Sequence, residues 1–333
     1  MRMERGRARR PSSALSRALV RTAFFVPATL LLIFLVIYPV LQTLMLSVLH
    51  PSSGGFVGFD NYATVFERPE TIDLRDSAVP YGTIIHNFLW IVIHLPLTLF
   101  TGLFLALTLQ RVRGASAVKS MIFLGMVTPL IVGGIILRFL FDERSGIVPQ
   151  AFGALGIDAL AIQWTAFPET LLFGLIIGSV WLWTGFSLIV YSAGLTTIPK
   201  DYFEAAQIDG ASSWRMFRRI TWPLLRPMTL VIVTMTILWE LKIFDIVYAA
   251  ANPSGGVGGA ADVLALQMYR YAFRAGNYSE AAVVATLLTA LTLLVASWML
   301  RRMALGSRSA RGRRSLIRRL RALVFPGRTE GGE

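Results

Sequence analysis

Long stretches of apolar residues without a single charge constrain this chain more than any other feature. Between Arg21 and Asp60 the sequence contains no Asp, Glu, Lys or Arg, and several later stretches are almost as apolar. A helix needs about 20 apolar residues to cross a hydrocarbon core about 30 Å thick, and lipid offers no partners for backbone polar groups. With 55% hydrophobic residues and a mean hydropathy of +0.61, the chain is predicted to be an all-α, polytopic membrane protein.

Six membrane-spanning helices are predicted, at 22–46, 83–110, 120–141, 171–195, 229–250 and 279–300. The first stretch is too long for the apolar region of a cleaved signal peptide, and no convincing small-residue cleavage site follows it. We therefore interpret it as an uncleaved span. The chain then divides into a basic tail (1–21), a transmembrane domain (22–303) and a second basic tail (304–333).

Positive charges alternate between the connecting segments, and this alternation predicts the orientation of the spans. Lys and Arg number seven in residues 1–21, two in 50–82, three in 111–119, one in 142–170, five in 196–228, two in 251–278 and ten from residue 301 onward. Loops rich in Lys and Arg are retained on the cytoplasmic side of a membrane. Both termini and the loop 196–228 are therefore predicted to be cytoplasmic.

The last basic tail has enough positive charge to bind phosphate groups nonspecifically, as a nucleic-acid-binding segment would. It directly follows a span, however, and lacks the repeated aromatic residues on which bases stack. We favour contact with anionic membrane lipid, which is worth about 1 kcal/mol for each basic residue near the surface. No nucleic acid partner is expected.

Motifs for nucleotide binding and catalysis are missing from the sequence. The nearest candidate for a phosphate loop fails, because Lys119 and Ser120 follow Val118 rather than a glycine. There is no HExxH, paired-His or Gly-x-Ser-x-Gly motif, and the chain contains no cysteine. The chain is therefore predicted to bind no metal or cofactor and not to be an enzyme, so ATP-driven transport would need another chain to bind the nucleotide.

The cytoplasmic loop 196–228 has the sequence features of a docking element. Pro199 can begin a helix whose first turns contain Asp201 and Glu204, where the helix dipole favours negative charge. Gly210 then allows the chain to turn. A second helix is predicted after the turn, with an apolar face, and Pro223 and Pro227 are expected to end it.

The spacing within this loop resembles the EAA motif of the permeases of binding-protein-dependent ABC importers. The matching residues are Glu204, Ala205, Ala206, Gly210, Ile220, Trp222 and Pro223, with Trp222 in place of the usual leucine. The segments YPVLQTLMLSV (38–48) and DVLALQMYRYAF (262–273) also resemble the first permease subunit of the carbohydrate, or maltose-type, branch. The resemblance covers about residues 24–303 and implies the type I importer permease core.

What the resemblance implies is an assembly in a prokaryotic plasma membrane. The chain would pair with a second homologous permease, two copies of a cytosolic ATPase that binds ATP and Mg, and an extracytoplasmic solute-binding protein. The EAA helix would couple the permease to the ATPase. The residues implied for this coupling are Glu204, Ala205, Ala206, Asp209 and Gly210.

Polar and aromatic residues within two spans are candidates for contact with a transported sugar. Aromatic rings stack on the apolar faces of sugars, and carboxylates or hydroxyls accept hydrogen bonds from sugar hydroxyl groups. Alignment with the maltose-type permeases from the EAA motif places the substrate-lining positions on the fourth and fifth spans. The implied residues are Ser179, Trp183, Phe186, Trp239, Glu240 and Ile243.

Two alternative functions remain open. Glycerol-phosphate or polyol importers share the same framework, although the segment 262–273 favours an oligosaccharide or α-glucoside. A self-contained secondary transporter would need internal repeats and paired intramembrane carboxylates, and we find neither in the sequence.

Two other pairs of residues within the predicted spans have simpler interpretations. His86 and His94 lie eight residues apart in the second span, and without a third titratable group there we favour hydrogen bonding or packing over a proton relay. Lys242 and Asp245 are three residues apart and are expected to pair within the fifth helix.

Overall fold

The computed structural model describes residues 14–73 and 80–324, and every regular element in these ranges is a helix apart from one isolated bridge between Leu49 and Phe56. Five helices within them are long and apolar enough to cross a bilayer, and two shorter helices joined by a sharp bend supply a sixth crossing. The prediction of an all-α, six-span membrane protein is therefore confirmed. The spans are Phe25–Ser47, Thr83–Thr108, the pair Ala115–Val127 and Leu130–Leu140, Pro168–Thr196, Ser213–Leu241 and Tyr278–Arg302.

Shorter helices lie in the connections between the spans. Asp60–Glu67 follows the first span and Ile147–Ala154 follows the third. Lys200–Ile208 precedes the fifth span, and two further helices, Asp245–Ala251 and Leu264–Tyr269, precede the sixth. The backbone of the last span continues as a helix to Val324.

The third span is not the continuous helix that the hydropathy predicts for 120–141. Its two halves are bent by 100° at Thr128 and Pro129, both of which have extended backbone angles. A proline disfavours the helical conformation of the residue before it and has no N–H to donate. The break therefore follows from Pro129, whose effect on the backbone cannot be predicted from hydropathy.

The fifth span also ends earlier than predicted, at Leu241 rather than near residue 250. Within one straight helix Leu241 and Ile243 would point about 200° apart, yet both are at least 95% buried. Breaking the helix buries both side chains. The expected ion pair between Lys242 and Asp245 is wrong, since Lys242 lies in the turn after the fifth span, Asp245 begins the next helix, and the two form no ion pair within the described ranges.

Three spans widen into a short π-helical segment two residues before a proline. The segments are Ile33–Ile37 before Pro39, Trp90–His94 before Pro96 and Phe217–Thr221 before Pro223. A proline cannot donate to the preceding turn and clashes with a carbonyl in it, and the wider π turn relieves both problems. The expectation that Pro223 and Pro227 end a helix is therefore wrong, since Ser213–Leu241 runs through both.

The second and fourth spans pack in close contact. A Cβ atom added at Gly102 would lie 2.3 Å from Cβ of Ser187, so the glycine lets the two helices approach. One buried apolar cluster surrounds Trp90 and Leu175, and another surrounds Leu103 and Leu188. In contrast, no residue in the most apolar window of the first span is buried within the chain.

Candidate functional site

A cavity of about 440 Å³ lies where two spans are broken. The bend of the third span supplies Thr128 and Pro129, and the break after the fifth span supplies Lys242 and Ile243. The fourth span contributes Trp183. The cavity is thus formed by the same irregularities that the hydropathy pattern does not predict.

Three of the six residues predicted to contact a sugar line this cavity, and a fourth packs against one of them. Trp183, Trp239 and Ile243 line it. The rings of Trp183 and Trp239 are 6.2 Å apart, and Phe186 packs edge-on against Trp239 at 5.0 Å. The wall therefore contains an aromatic surface of the kind that stacks on the apolar face of a sugar.

Ser179 does not lie in this wall. It is fully buried at the junction between the helices Pro168–Gly178 and Val180–Thr196. Its hydroxyl donates to the carbonyl oxygen of Ile176 at 2.9 Å. The side chain is therefore occupied with the backbone of its own span.

Glu240 is also absent from the cavity wall, because it is fully buried against the second span. Its Oε1 lies 2.6 Å from Nδ1 of His94, and the exposed fractions of the two side chains are 0% and 1%. The backbone carbonyl of Glu240 also accepts a hydrogen bond from the side-chain amide of Asn87, whose Nδ2 lies 3.0 Å away. The fifth span is thus tied to the second span by two hydrogen bonds.

The two histidines of the second span have separate partners. Nδ1 of His86 lies 2.7 Å from the carbonyl oxygen of Asp262, which can only accept, so this nitrogen donates. Its Nε2 accepts from the backbone N–H of Tyr81 at 3.1 Å. His86 therefore connects the N-terminal end of the second span to neighbouring backbone, whereas His94 contacts a buried carboxyl group.

The turn at Gly210 is built as the sequence predicts. Gly210 has a φ of +69°, which L-residues with a side chain rarely adopt. The N–H of Ala211 bonds to the carbonyl of Ala206 at 2.9 Å, and the N–H of Gly210 bonds to that of Gln207 at 3.0 Å. These two bonds form a Schellman motif, which ends the helix Lys200–Ile208 and turns the chain toward the fifth span.

The short helix Lys200–Ile208 presents most of its surface to solvent. Glu204, Ala205 and Asp209 are exposed and Ala206 is half-buried, while Phe203 packs against the body of the protein. Ile208 is 88% exposed, although isoleucine is among the residue types most often buried. Most of this helix is therefore not covered by the rest of the described chain.

Neither the contact of His94 with Glu240 nor the exposure of Ile208 was predicted from the sequence. A signal for the pair was present, since a buried acid without a local partner in one span calls for a partner on another span. For Ile208 the signal was an isoleucine next to the turn residues of a polar helix.

No group of three or more His, Cys, Asp or Glu side chains that could hold a metal ion occurs within the ranges that the structure describes.

Comparison with known proteins identifies the kind of molecule to which these features belong. The family model described as "Binding-protein-dependent transport system inner membrane component" matches residues 98–307. The chain belongs to this family. The resemblance inferred from the EAA motif is thus confirmed, and the chain is a multi-pass permease of a prokaryotic inner membrane without a nucleotide site of its own.

Individual relatives of this permease extend over most of its length. It is 54% identical over 284 residues to a probable ABC transporter permease protein of Pyrococcus horikoshii, covering 84% of this chain and 96% of the relative. It is 32% identical over 286 residues to the alpha-glucoside transport system permease protein AglF of Rhizobium meliloti, covering 84% of this chain and 80% of that one.

A solved structure has the same fold. The crystal structure of a bacterial alginate ABC transporter in complex with alginate pentasaccharide-bound periplasmic protein matches with a TM-score of 0.71 at 20% identity. The match covers 86% of this permease and 94% of the solved chain.

Proposed function

We propose that this permease imports a carbohydrate, with an oligosaccharide or α-glucoside as the favoured substrate, by alternating access driven by a separate ATPase. The observation on which the proposal rests is the cavity of about 440 Å³ with Trp183 and Trp239 in its wall. Its volume falls within the range of about 300–1,000 Å³ typical of small-molecule sites. The relative AglF is named for alpha-glucoside transport, which supports the same substrate class.

The partners we propose are a second homologous permease, two copies of a cytosolic ATPase with its ATP and Mg, and an extracytoplasmic solute-binding protein. The exposed helix Lys200–Ile208 and its Schellman turn would dock on the ATPase, with both termini and this loop in the cytoplasm. Glu204, Ala205, Asp209 and Gly210 would form this contact together with Ala206. The exposed side chain of Ile208 gives the docking surface an apolar centre.

Reconstitution tests the proposal. The permease would be placed in liposomes with the ATPase, second permease and solute-binding protein encoded beside it, and ATP hydrolysis measured with and without sugar. We expect the solute-binding protein plus sugar to stimulate hydrolysis. Uptake driven by an ion gradient in liposomes that contain this chain alone would instead indicate a secondary transporter.

The coupling assignment has its own test. Glu204→Lys reverses a charge on the exposed face, and Gly210→Pro cannot adopt a φ of +69°. Both variants are expected to lose copurification with the ATPase and to lose uptake. If both retained ATPase association and uptake, the loop would have another role.

A glycerol-phosphate or polyol importer is the second candidate, and one observation favours it. Lys242 is exposed, lines the cavity and has no ion pair within the described part of the chain. An ammonium group could pair with a phosphate. If glycerol phosphate stimulated hydrolysis more than neutral sugars, and Lys242→Gln abolished that preference, this second function would replace the first.

A further inference from the structure

The buried contact between His94 and Glu240 uses only one polar atom of each side chain. Oε2 of Glu240 and Nε2 of His94 are both inaccessible, and neither has a hydrogen-bond partner within the described residues. Thr98 approaches only the occupied nitrogen, at 3.4 Å from Nδ1. Burying an unpaired polar atom destabilises a fold, so a contact that only joined two helices would not need to leave these two atoms unpaired.

One proton lies between the two groups whichever of them holds it. Either Nδ1–H of His94 donates to a carboxylate, or a protonated Glu240 donates to Nδ1. In both cases Oε1 is held by the histidine and Oε2 keeps its capacity to accept a hydrogen bond. The contact therefore fixes the direction in which the free oxygen points.

The pair lies directly behind the aromatic wall of the cavity. Trp183 lines the cavity and meets the ring of His94 edge-on at 5.2 Å. Trp239 and Ile243, also in the wall, are close to Glu240 in the chain. The Trp183 side chain therefore lies between the ring of His94 and the cavity.

The backbone supports the placement of the histidine. His94 is the last residue of the π segment Trp90–His94, which precedes Pro96. A π turn adds a residue to the helical turn and so rotates the side chains beyond it relative to those before it. His94 faces the fifth span because of this irregular turn.

We propose that His94 is a positioning residue of the substrate site, holding Oε1 of Glu240 so that Oε2 accepts a hydroxyl group of a polyhydroxylated substrate when Trp183 moves aside. This inference rests on the proposed function, since it assigns the orientation of a residue in that site. It adds to the site a residue of the second span. The alternative is that the pair only fastens the second span to the fifth.

A comparison of substrates and variants separates these two roles. Reconstituted complexes would be assayed for uptake of maltose and trehalose and of their monodeoxy analogues at limiting concentration. A hydrogen bond to a charged group corresponds to about tenfold or more in affinity. In the unaltered complex we expect one deoxy analogue to be taken up about tenfold less efficiently than its parent sugar.

The variants then show whether His94 controls this discrimination. The deoxy penalty is the ratio of uptake of the parent sugar to uptake of its deoxy analogue. In His94→Ala this penalty is expected to fall toward one. His94→Asn, whose amide N–H can replace Nδ1–H, is expected to restore part of it. Glu240→Gln should reduce the penalty, and adding His94→Ala to it should reduce it little further. His86→Ala is the matched control, because it removes a buried histidine of the same span whose hydrogen bonds are to backbone groups, and it should leave the penalty unchanged.

Equal deoxy penalties in the unaltered, His94→Ala and His94→Asn complexes would overturn the inference and leave a purely structural pair. Should His94→Ala fail to assemble, the comparison of His94→Asn with Glu240→Gln decides the question in the same way. Failure of the proposed function is recognised separately, since neither sugar would then stimulate hydrolysis or be taken up by the unaltered complex.

Discussion

At the scale of single residues, burial changes the pH at which the carboxyl group of Asp262 is protonated. Asp262 lies in the connection between the fifth and sixth spans and is 3% exposed. Burial raises the pKa of its carboxyl group to about 7, and the neighbouring Arg270 only partly opposes the shift. Val263 and Arg270 donate hydrogen bonds to this carboxyl group. Asp262 is therefore a group whose protonation changes near neutral pH.

This burial predicts a pH dependence of stability. Because the pKa of Asp262 in the folded chain, about 7, exceeds its ordinary value of 3.8, the folded state binds the proton more tightly than the unfolded state. The resulting stabilisation is complete below the ordinary pKa and is lost as pH rises through about 7. Relative to Asp262→Asn, the heat-denaturation midpoint of the unaltered protein in detergent should therefore fall between about pH 5 and about pH 8. A midpoint difference that stayed constant over this range would contradict the prediction.

At the scale of elements, irregular backbone determines where the polar side chains point. The break after Thr128 and the break after Leu241 create the cavity, and the π segment before Pro96 orients His94. The apolar length of each span was predictable from hydropathy, because any sufficiently apolar helix can cross a bilayer. The positions of the breaks were not predictable from hydropathy, since the first follows from Pro129 and the second accompanies the burial of both Leu241 and Ile243.

Pro96→Ala tests the link between the proline and the π segment. Alanine restores the missing N–H and removes the ring, so the turn at Trp90–His94 can relax to a regular α-helix and rotate His94 away from Glu240. Sugar uptake by the reconstituted complex is expected to fall several-fold. Pro39→Ala, which follows the π segment of the first span, provides the control and should leave uptake unchanged. Equal effects of the two substitutions would argue against a specific role for Pro96.

Gly210→Ala isolates the conformational requirement of the loop turn. Nothing lies within 4 Å of a Cβ at this position, so the cost is only the positive φ, about 1 kcal/mol. If the turn must be formed for docking, the affinity for the ATPase should fall about fivefold, measured by titrating the ATPase onto the immobilised permease. Gly258 has a φ of +62° and equally open surroundings, so Gly258→Ala is the matched control and should leave this affinity unchanged. Unaltered affinity in Gly210→Ala would show that docking does not need the turn.

At the scale of the whole molecule, polar contacts join segments that are far apart in the sequence. The amide of Gln267 accepts from Thr83 at 2.6 Å and donates to Thr71 at 2.7 Å, and all three residues are fully buried. Nearby, Arg68 pairs with Glu280 at 2.6 Å. The connection after the first span, the start of the second span and the start of the sixth span are thus held together at one end of the bundle.

Gln267→Leu should show how much this hydrogen-bond network contributes to the stability of the folded protein. The substitution preserves the approximate volume but leaves the buried hydroxyls of Thr71 and Thr83 without the amide, at about 1–3 kcal/mol for each lost partner. We expect a lower midpoint of heat denaturation, measured by size-exclusion chromatography after heating in detergent. Gln150→Leu is the control, because Gln150 is exposed and its bonds to backbone carbonyls are 3.3 Å long. A Gln267→Leu variant as stable as Gln150→Leu would show that the network adds no stability.

The sequence by itself determined the class of this protein, its apolar spans, the turn at Gly210 and the lack of a nucleotide-binding motif of its own. Each of these follows from local information: apolar length, the residue at a turn, or the absence of a motif. The tertiary structure decided that Trp183, Trp239 and Ile243 share a cavity, and that Glu240 is turned away from it toward His94, 146 residues earlier. Helical periodicity shows which face of a span a residue occupies, but only the packing of the spans determines what that face contacts.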